Sequence, residues 1–148
     1  MITYYTDGSC EPNPGNGGFS VIQVVDLPDG KTEMQPVVLG GEPGGGQTTN
    51  IRMEGFAIIE ALKHSKGEEC TIFSDSEFWI KVITIWSLTW EKNNWVKKGG
   101  IKNLDIVQEV CPLYKASKAT LTWTKGHAGD PGNELADHWA NEARKQRV

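Results

Sequence analysis

The chain has 148 residues, of which 38% are hydrophobic and 23% charged, and it carries a net charge of −4. That length fits one domain over residues 1–148 with a real core, and the composition excludes a disordered chain. No apolar run approaches the ~18 residues of a transmembrane helix, and no secretory signal is expected from the opening residues. The acidic balance argues against a generic phosphate-binding protein, although carboxylates gathered at one site would give the same sum. Cys10, Cys70 and Cys111 are odd in number and lack zinc-ligand spacing. Buried thiols in a reducing cytosol are therefore expected.

The first third reads as strands. Residues 2–6 form a β-branched and aromatic run that Asp7-Gly8 should stop. Residues 18–25 form a second run, Pro28-Asp29-Gly30 is a turn signal, and residues 31–39 run back. Residues 40–49 hold five glycines and one proline and read as a mobile surface loop. The pattern then changes: helix over 50–65, strand over 70–74, helix over 76–90, helix over 103–116, strand over 119–124 and helix over 132–146. An antiparallel meander followed by alternating helices and strands predicts an α/β fold, a mixed sheet with helices packed on it.

Four carboxylates stand in apolar company. Asp7 sits at the end of the first strand, where an Asp before Gly is ordinarily a turn residue. Glu54 lies on the helical stripe of Ile51, Ile58 and Leu62. A carboxylate on that stripe must find a partner or a metal, because burying it unpaired is costly. Asp75 follows an apolar strand and precedes a helix, so it reads either as a helix cap or as a ligand group at a strand's carboxyl end. Asp137 sits at the edge of the inward face formed by Leu135, Ala136, Trp139, Ala140 and Ala143. Oxygen-only ligands of this kind suit Mg²⁺ or Mn²⁺ and not zinc. Four of them can bridge two ions about 4 Å apart for in-line phosphoryl transfer.

The motifs that carry these carboxylates resemble those of the ribonuclease HI family. Thr6-Asp7-Gly8-Ser9-Cys10 with Asn13-Pro14-Gly15 is similar to that family's opening. Thr48-Thr49-Asn50-Ile51-Arg52-Met53-Glu54 is similar to its second motif and Ser74-Asp75-Ser76 to its third. Lys125-Gly126-His127-Ala128-Gly129 with Asn133-Glu134 and Asp137 is similar to its last. The order and spacing match across nearly the whole chain. The resemblance implies a five-stranded mixed sheet of order 3-2-1-4-5. It also implies cleavage of the RNA strand of RNA–DNA hybrids by a free-standing, cytoplasmic, monomeric enzyme, leaving 5′-phosphate and 3′-hydroxyl ends. Asp7, Glu54, Asp75 and Asp137 then become ligands for two Mg²⁺ ions, with Mn²⁺ able to substitute. His127, in its glycine-flanked loop, would assist the leaving group or product release.

The same resemblance distributes substrate contacts. Asn13, Asn50 and groups around Ser9, Cys10 and Glu54 would read 2′-hydroxyls. Thr49 and Asn103 would hold a DNA-strand phosphate. Trp79, Trp86 and Trp90 fall on one face of an ideal 76–90 helix, where core packing is the plain reading. The stretch 91–102 sets Trp95 among Lys92, Lys97, Lys98 and Lys102, a basic patch suited to gripping the DNA strand. Some positions depart from the family pattern: Ile51 replaces an asparagine, Glu77 a glutamine at the minor groove, and Gln47 an arginine. Glu91 and Asn93 replace groups that are often basic. Each change removes a donor or a positive charge, so weaker hybrid affinity with steep salt dependence is expected. A non-catalytic hybrid-binding module would lack one of the carboxylates or His127. A DNA-cutting nuclease of the same superfamily would lack the Asn13, Thr49-Asn50 and Lys125-Gly126-His127 set.

Overall fold

A computed structural model describes residues 2–125 and 130–146. Strands β1 (Ile2–Cys10), β2 (Gly17–Asp26) and β3 (Thr32–Gly40) form the antiparallel meander. Helix α1 (Asn50–Ser65) crosses to β4 (Cys70–Ser74), which pairs parallel to β1. After α2 (Glu77–Lys81), a π-helical turn (Val82–Trp86), α3 (Ser87–Lys92) and α4 (Leu104–Ala116), strand β5 (Ala119–Trp123) adds parallel to β4. Helix α5 (Pro131–Lys145) follows. The sheet order is β3-β2-β1-β4-β5, the mixed sheet expected from the resemblance.

The two faces of the sheet are covered differently. Even-numbered β1 residues face α1: the buried Tyr4 hydroxyl meets His64 Nδ1 at 2.8 Å, and Gly8 lies against Met53. This side holds the main core, with Val21, Met53, Ile58, Ile72, Trp79 and Val107 among its fully buried residues. Odd-numbered β1 residues face α5, where Tyr5 lies against Gly132 and Ser9 donates to Asn141 Oδ1 at 2.6 Å. Small residues line the buried stripe of α5: Gly132, Asn133, Ala136, Ala140 and Ala143. Their size lets the Ser20 hydroxyl reach the Ala136 carbonyl at 2.6 Å. Leu135 and Trp139, expected to face inward, are only half-buried.

Local chemistry sets the helix bounds. Thr49 caps α1, its Oγ1 accepting from Arg52 N at 3.2 Å, and the helix stops at Lys66 in a left-handed conformation (φ 52°). Ser76 caps α2 and Asp130 caps α5 in the same side-chain-to-backbone manner.

Three expectations change in the structure. Gly8 does not stop β1; it pairs with Phe19, and the strand runs on to Cys10. A β-carbon at Gly8 would fall 2.6 Å from the Met53 carbonyl carbon, so glycine is what lets α1 cross so close. Asp7 therefore lies within β1, opposite Ser20, just beyond the last parallel pair with β4 at Tyr5. Ile51 is 41% exposed, because the first turn of α1 projects past the sheet; Ile58 and Leu62 are buried as expected. The tryptophans do not share a face: Trp79 is fully buried, with Nε1 donating to the Ile51 carbonyl at 2.6 Å, while Trp86 is 40% exposed. The π-helical turn between them takes up an extra residue and rotates everything after it.

Candidate active site

Three carboxylates meet from three separate elements. Asp7 comes from β1, Glu54 from the first turns of α1, and Asp75 from the junction of β4 and α2. Each offers an oxygen, and these oxygens all lie within 4.8 Å of one another. Asp7 is buried; Glu54 and Asp75 are half-buried. Asp75 is not the cap of α2, since Ser76 fills that role by accepting from Trp79 N at 3.2 Å. The Asp75 carbonyl accepts from Trp123 Nε1 at 3.2 Å, and Thr124 N bonds the Ser74 carbonyl at 2.9 Å. The end of β5 thereby braces the strand end that presents Asp75.

The electrostatics are those of crowded like charge. Burial first, then the charge of Asp75, raises the Asp7 carboxyl to about 9, with Asp137 and Glu54 adding to the effect. Only the Gly8 N–H, donated to Asp7 Oδ1 at 2.9 Å, pulls the other way. Glu54 rises to about 7 for the same leading reasons, burial and Asp75, against a hydrogen bond with Ser76. No cation stands among the groups that set either value. Buried carboxylates with only each other for company call for a positive counter-charge. An all-oxygen donor set of this kind fits a hard divalent cation. Asp137 lies outside the close group of three, although its charge reaches Asp7. His127 lies outside the described residues.

The expected substrate residues separate into groups. Asn13 Oδ1 accepts from the Asn50 backbone N–H at 3.3 Å, so these two meet at the start of α1. The Cys10 thiol is buried and turned to the Pro12 and Thr48 carbonyls, and Ser9 Oγ is held between Asn141 and Arg144. With those side chains engaged, backbone groups are what Ser9 and Cys10 can offer a substrate. Thr49 and Asn103 both bind Arg52, through its backbone N–H and its guanidinium respectively. Trp86, Trp90, Lys97 and Lys98 line one groove of about 510 Å³ with Phe78 and Lys102, and Lys97 Nζ sits 5.8 Å from the Trp90 ring centre.

Two residues of the expected basic patch fall elsewhere. Lys92 lies on the far side of α3, beside Leu88, Glu91 and Lys115, where Lys115 pairs with Glu91. Trp95, at φ 64°, packs half-buried against the core and not into the groove. The π-helical turn and the tight turn 93–96 set both placements. Glu77 is exposed in the first turn of α2 and lies outside the carboxylate group. Sequence reasoning missed Phe78 as a groove wall, Trp123 as a brace, and the Arg52–Glu42 pair. An arginine three residues after a helix cap, with acids in the preceding loop, was the available signal for that pair.

Comparison with known proteins agrees with this geometry. The sequence model of the family described as RNase H matches residues 1–145. Ribonuclease H of Polaromonas sp. (strain JS666 / ATCC BAA-500) is 43% identical over 147 residues, spanning 96% of this chain and 87% of the relative. Ribonuclease H of Pseudomonas entomophila (strain L48) is 39% identical, spanning 99% of this chain and 97% of the relative. Among solved structures, LC9-RNase H1, a type 1 RNase H with the type 2 active-site motif, superposes with a TM-score of 0.83 at 29% identity. That match covers 99% of this chain and 73% of the other. The fold and its acidic centre thus define a carboxylate-dependent nuclease, and the chain belongs to the RNase H family. Enzymes of this family are metal-dependent endonucleases that cut the RNA of RNA–DNA hybrids, and this chain is an enzyme of that kind.

Proposed function

We propose that this chain cuts RNA within RNA–DNA hybrids at the Asp7, Glu54 and Asp75 centre, leaving 5′-phosphate and 3′-hydroxyl ends. The observation that carries the assignment of the centre is the convergence of three carboxylates from three elements with no cationic partner. The four carboxylates, with Asp137 as the outer member, would hold two Mg²⁺ ions, for which Mn²⁺ could substitute. Bound there, the ions supply Lewis acidity toward the attacking water and the leaving 3′-oxygen.

The chain's own residues do the rest. Asp7 and Asp75 fix the centre on the rigid sheet, and Glu54 closes it from α1. His127 would pass a proton to the leaving 3′-oxygen or assist product release. Asn13 and Asn50, already joined at 3.3 Å, would contact 2′-hydroxyls and so distinguish RNA from DNA. Thr49 and Asn103 would take a DNA-strand phosphate, and the Trp86, Trp90, Lys97 and Lys98 groove would carry the DNA strand beyond it. LC11-RNase H1, whose structure was solved with an RNA/DNA hybrid, shares the fold at a TM-score of 0.66 and 20% identity. The three buried free cysteines suit a reducing cytoplasm, and no helix among the described residues is long and apolar enough to cross a membrane. A monomer in the cytoplasm completes the proposal.

The test is an end-labelled hybrid incubated with and without Mg²⁺ or Mn²⁺, beside a DNA duplex and the Asp75→Asn variant. Metal-dependent cutting of the RNA strand alone, lost in the variant, is the expected result. Retained hybrid binding with no cutting under either metal would overturn the proposal.

A further inference from the structure

Arg52 makes a complete set of bonds outside the acidic centre. Its Nε and Nη2 reach Glu42 at 2.6 and 3.3 Å, and its Nη1 and Nη2 reach Asp105 at 3.1 and 2.8 Å. The second Nη1 bond goes to Asn103 Oδ1 at 3.3 Å. Five bonds account for all five N–H donors of a guanidinium. The flat face of the group lies 5.4 Å from the centre of the Phe56 ring. Its geometry is therefore fixed in every direction.

Two of the atoms it holds belong to residues proposed to bind phosphate. Arginine only donates, so the Asn103 oxygen must face it, and the Asn103 amide N–H₂ is left pointing away. Asn103 itself sits in a left-handed conformation (φ 56°) at the start of α4 and makes no side-chain cap bond, so Arg52 is what fixes its amide. The Arg52 backbone N–H, in turn, holds Thr49 Oγ1. Glu42 is the better-shielded acid of the pair, with its side chain 13% exposed against 62% for Asp105. It also belongs to the 40–49 loop, whose Gly44, Gly45 and Gly46 all adopt positive φ and give that loop little stiffness of its own.

We infer that Glu42 is a positioning residue for hybrid binding: through Arg52 it makes the glycine-rich loop a support for the Thr49–Asn103 phosphate subsite. The inference rests on the assignment of that subsite in the proposed function. Without the Glu42 carboxylate the guanidinium keeps only its more exposed partner Asp105. It then pivots on that partner, and Asn103 loses its fixed orientation.

The experiment measures steady-state cleavage of a fixed RNA–DNA hybrid carrying a single neutral methylphosphonate at successive DNA-strand positions. In the native protein one position should raise KM most. Glu42→Gln should raise KM for the unmodified hybrid about fivefold, the worth of roughly one hydrogen bond, while kcat falls less than about twofold. The extra KM penalty at that one methylphosphonate position should largely disappear. Glu42→Asp, which keeps the charge but retracts it, should give an intermediate penalty and covers the case in which the Gln variant does not fold. A merely structural role would raise KM for every hybrid and leave the positional penalty intact; that result overturns the inference. If the native protein ignores every DNA-strand methylphosphonate, the subsite assignment itself fails, and the inference falls with it.

Discussion

Two acidic groupings lie at opposite ends of the first turns of α1, and they resolve their charge in opposite ways. Around Arg52, two carboxylates share one guanidinium, and Asp105 is held below the ordinary carboxylate range chiefly by its hydrogen bonds to that group. Around Asp7, three carboxylates share no cation, and both Asp7 and Glu54 are pushed up. The first grouping is neutralised within the chain and can hold geometry without help. The second is left incomplete by the chain, and an incomplete charge balance in a concave, partly buried place is what chemistry can use.

This contrast can be broken most sharply at the incomplete grouping. Asp75→Asn should lower hybrid cleavage on the order of a thousandfold or more, read by kcat on a labelled hybrid, with the fold intact by circular dichroism. At the satisfied grouping, Arg52→Met should instead cost folding stability, about 2–4 kcal/mol by urea denaturation, because Glu42 is left shielded without its partner. A loss well below 1 kcal/mol would mean that the five bonds are not holding the loop.

The acidic centre also gives a signed pH effect. Its folded Asp7 value, about 9, lies above the ordinary 3.8, so the folded chain keeps a proton that the unfolded chain releases. Glu54, at about 7 against 4.5, has the same sign. Stability from these groups is full at low pH and is lost as pH rises through their folded values. In chelator, Tm should therefore fall from about pH 5.5 to about pH 8.5. Asp7→Asn should flatten that slope and raise Tm at the alkaline end, even while abolishing cleavage. Divalent cation added to the native protein at the alkaline end should recover the lost Tm. A native Tm that rises over this range would contradict the crowding. The smallest effect is expected from Asp105→Asn, under about 1 kcal/mol, since that partner is largely in water.

Much of this contrast could be read from the chain, and the unread part has a common cause. The 50–65 helix and the 70–74 strand fall where periodicity places them, and the sheet order follows from the family resemblance. Asp7, Glu54 and Asp75 stand out because each is a carboxylate where burial would ordinarily exclude one. Arg52 did not stand out: a helix-start arginine looks solvated until the fold brings Glu42 and Asp105 to it from ten residues before and 53 after. Ile51 fits the apolar stripe by spacing, but spacing does not say where the sheet beneath the helix ends. The tryptophans were misplaced because an ideal 3.6-residue period was carried through a segment that does not keep it.

That segment makes the count of residues between Trp79 and Trp86 a quantity that matters in itself. A π-helical turn holds one more residue per hydrogen-bonded loop than an α-helical one, so deleting one residue from Val82–Trp86 offers the helix a regular path. Trp79, upstream, would keep its place under α1. Everything from Trp86 onward would swing by about 100° about the helix axis, turning Trp86 and Trp90 away from Lys97 and Lys98. One codon's length, with no change in chemistry, is thus the difference between a chain that carries an aromatic and basic groove and one that does not.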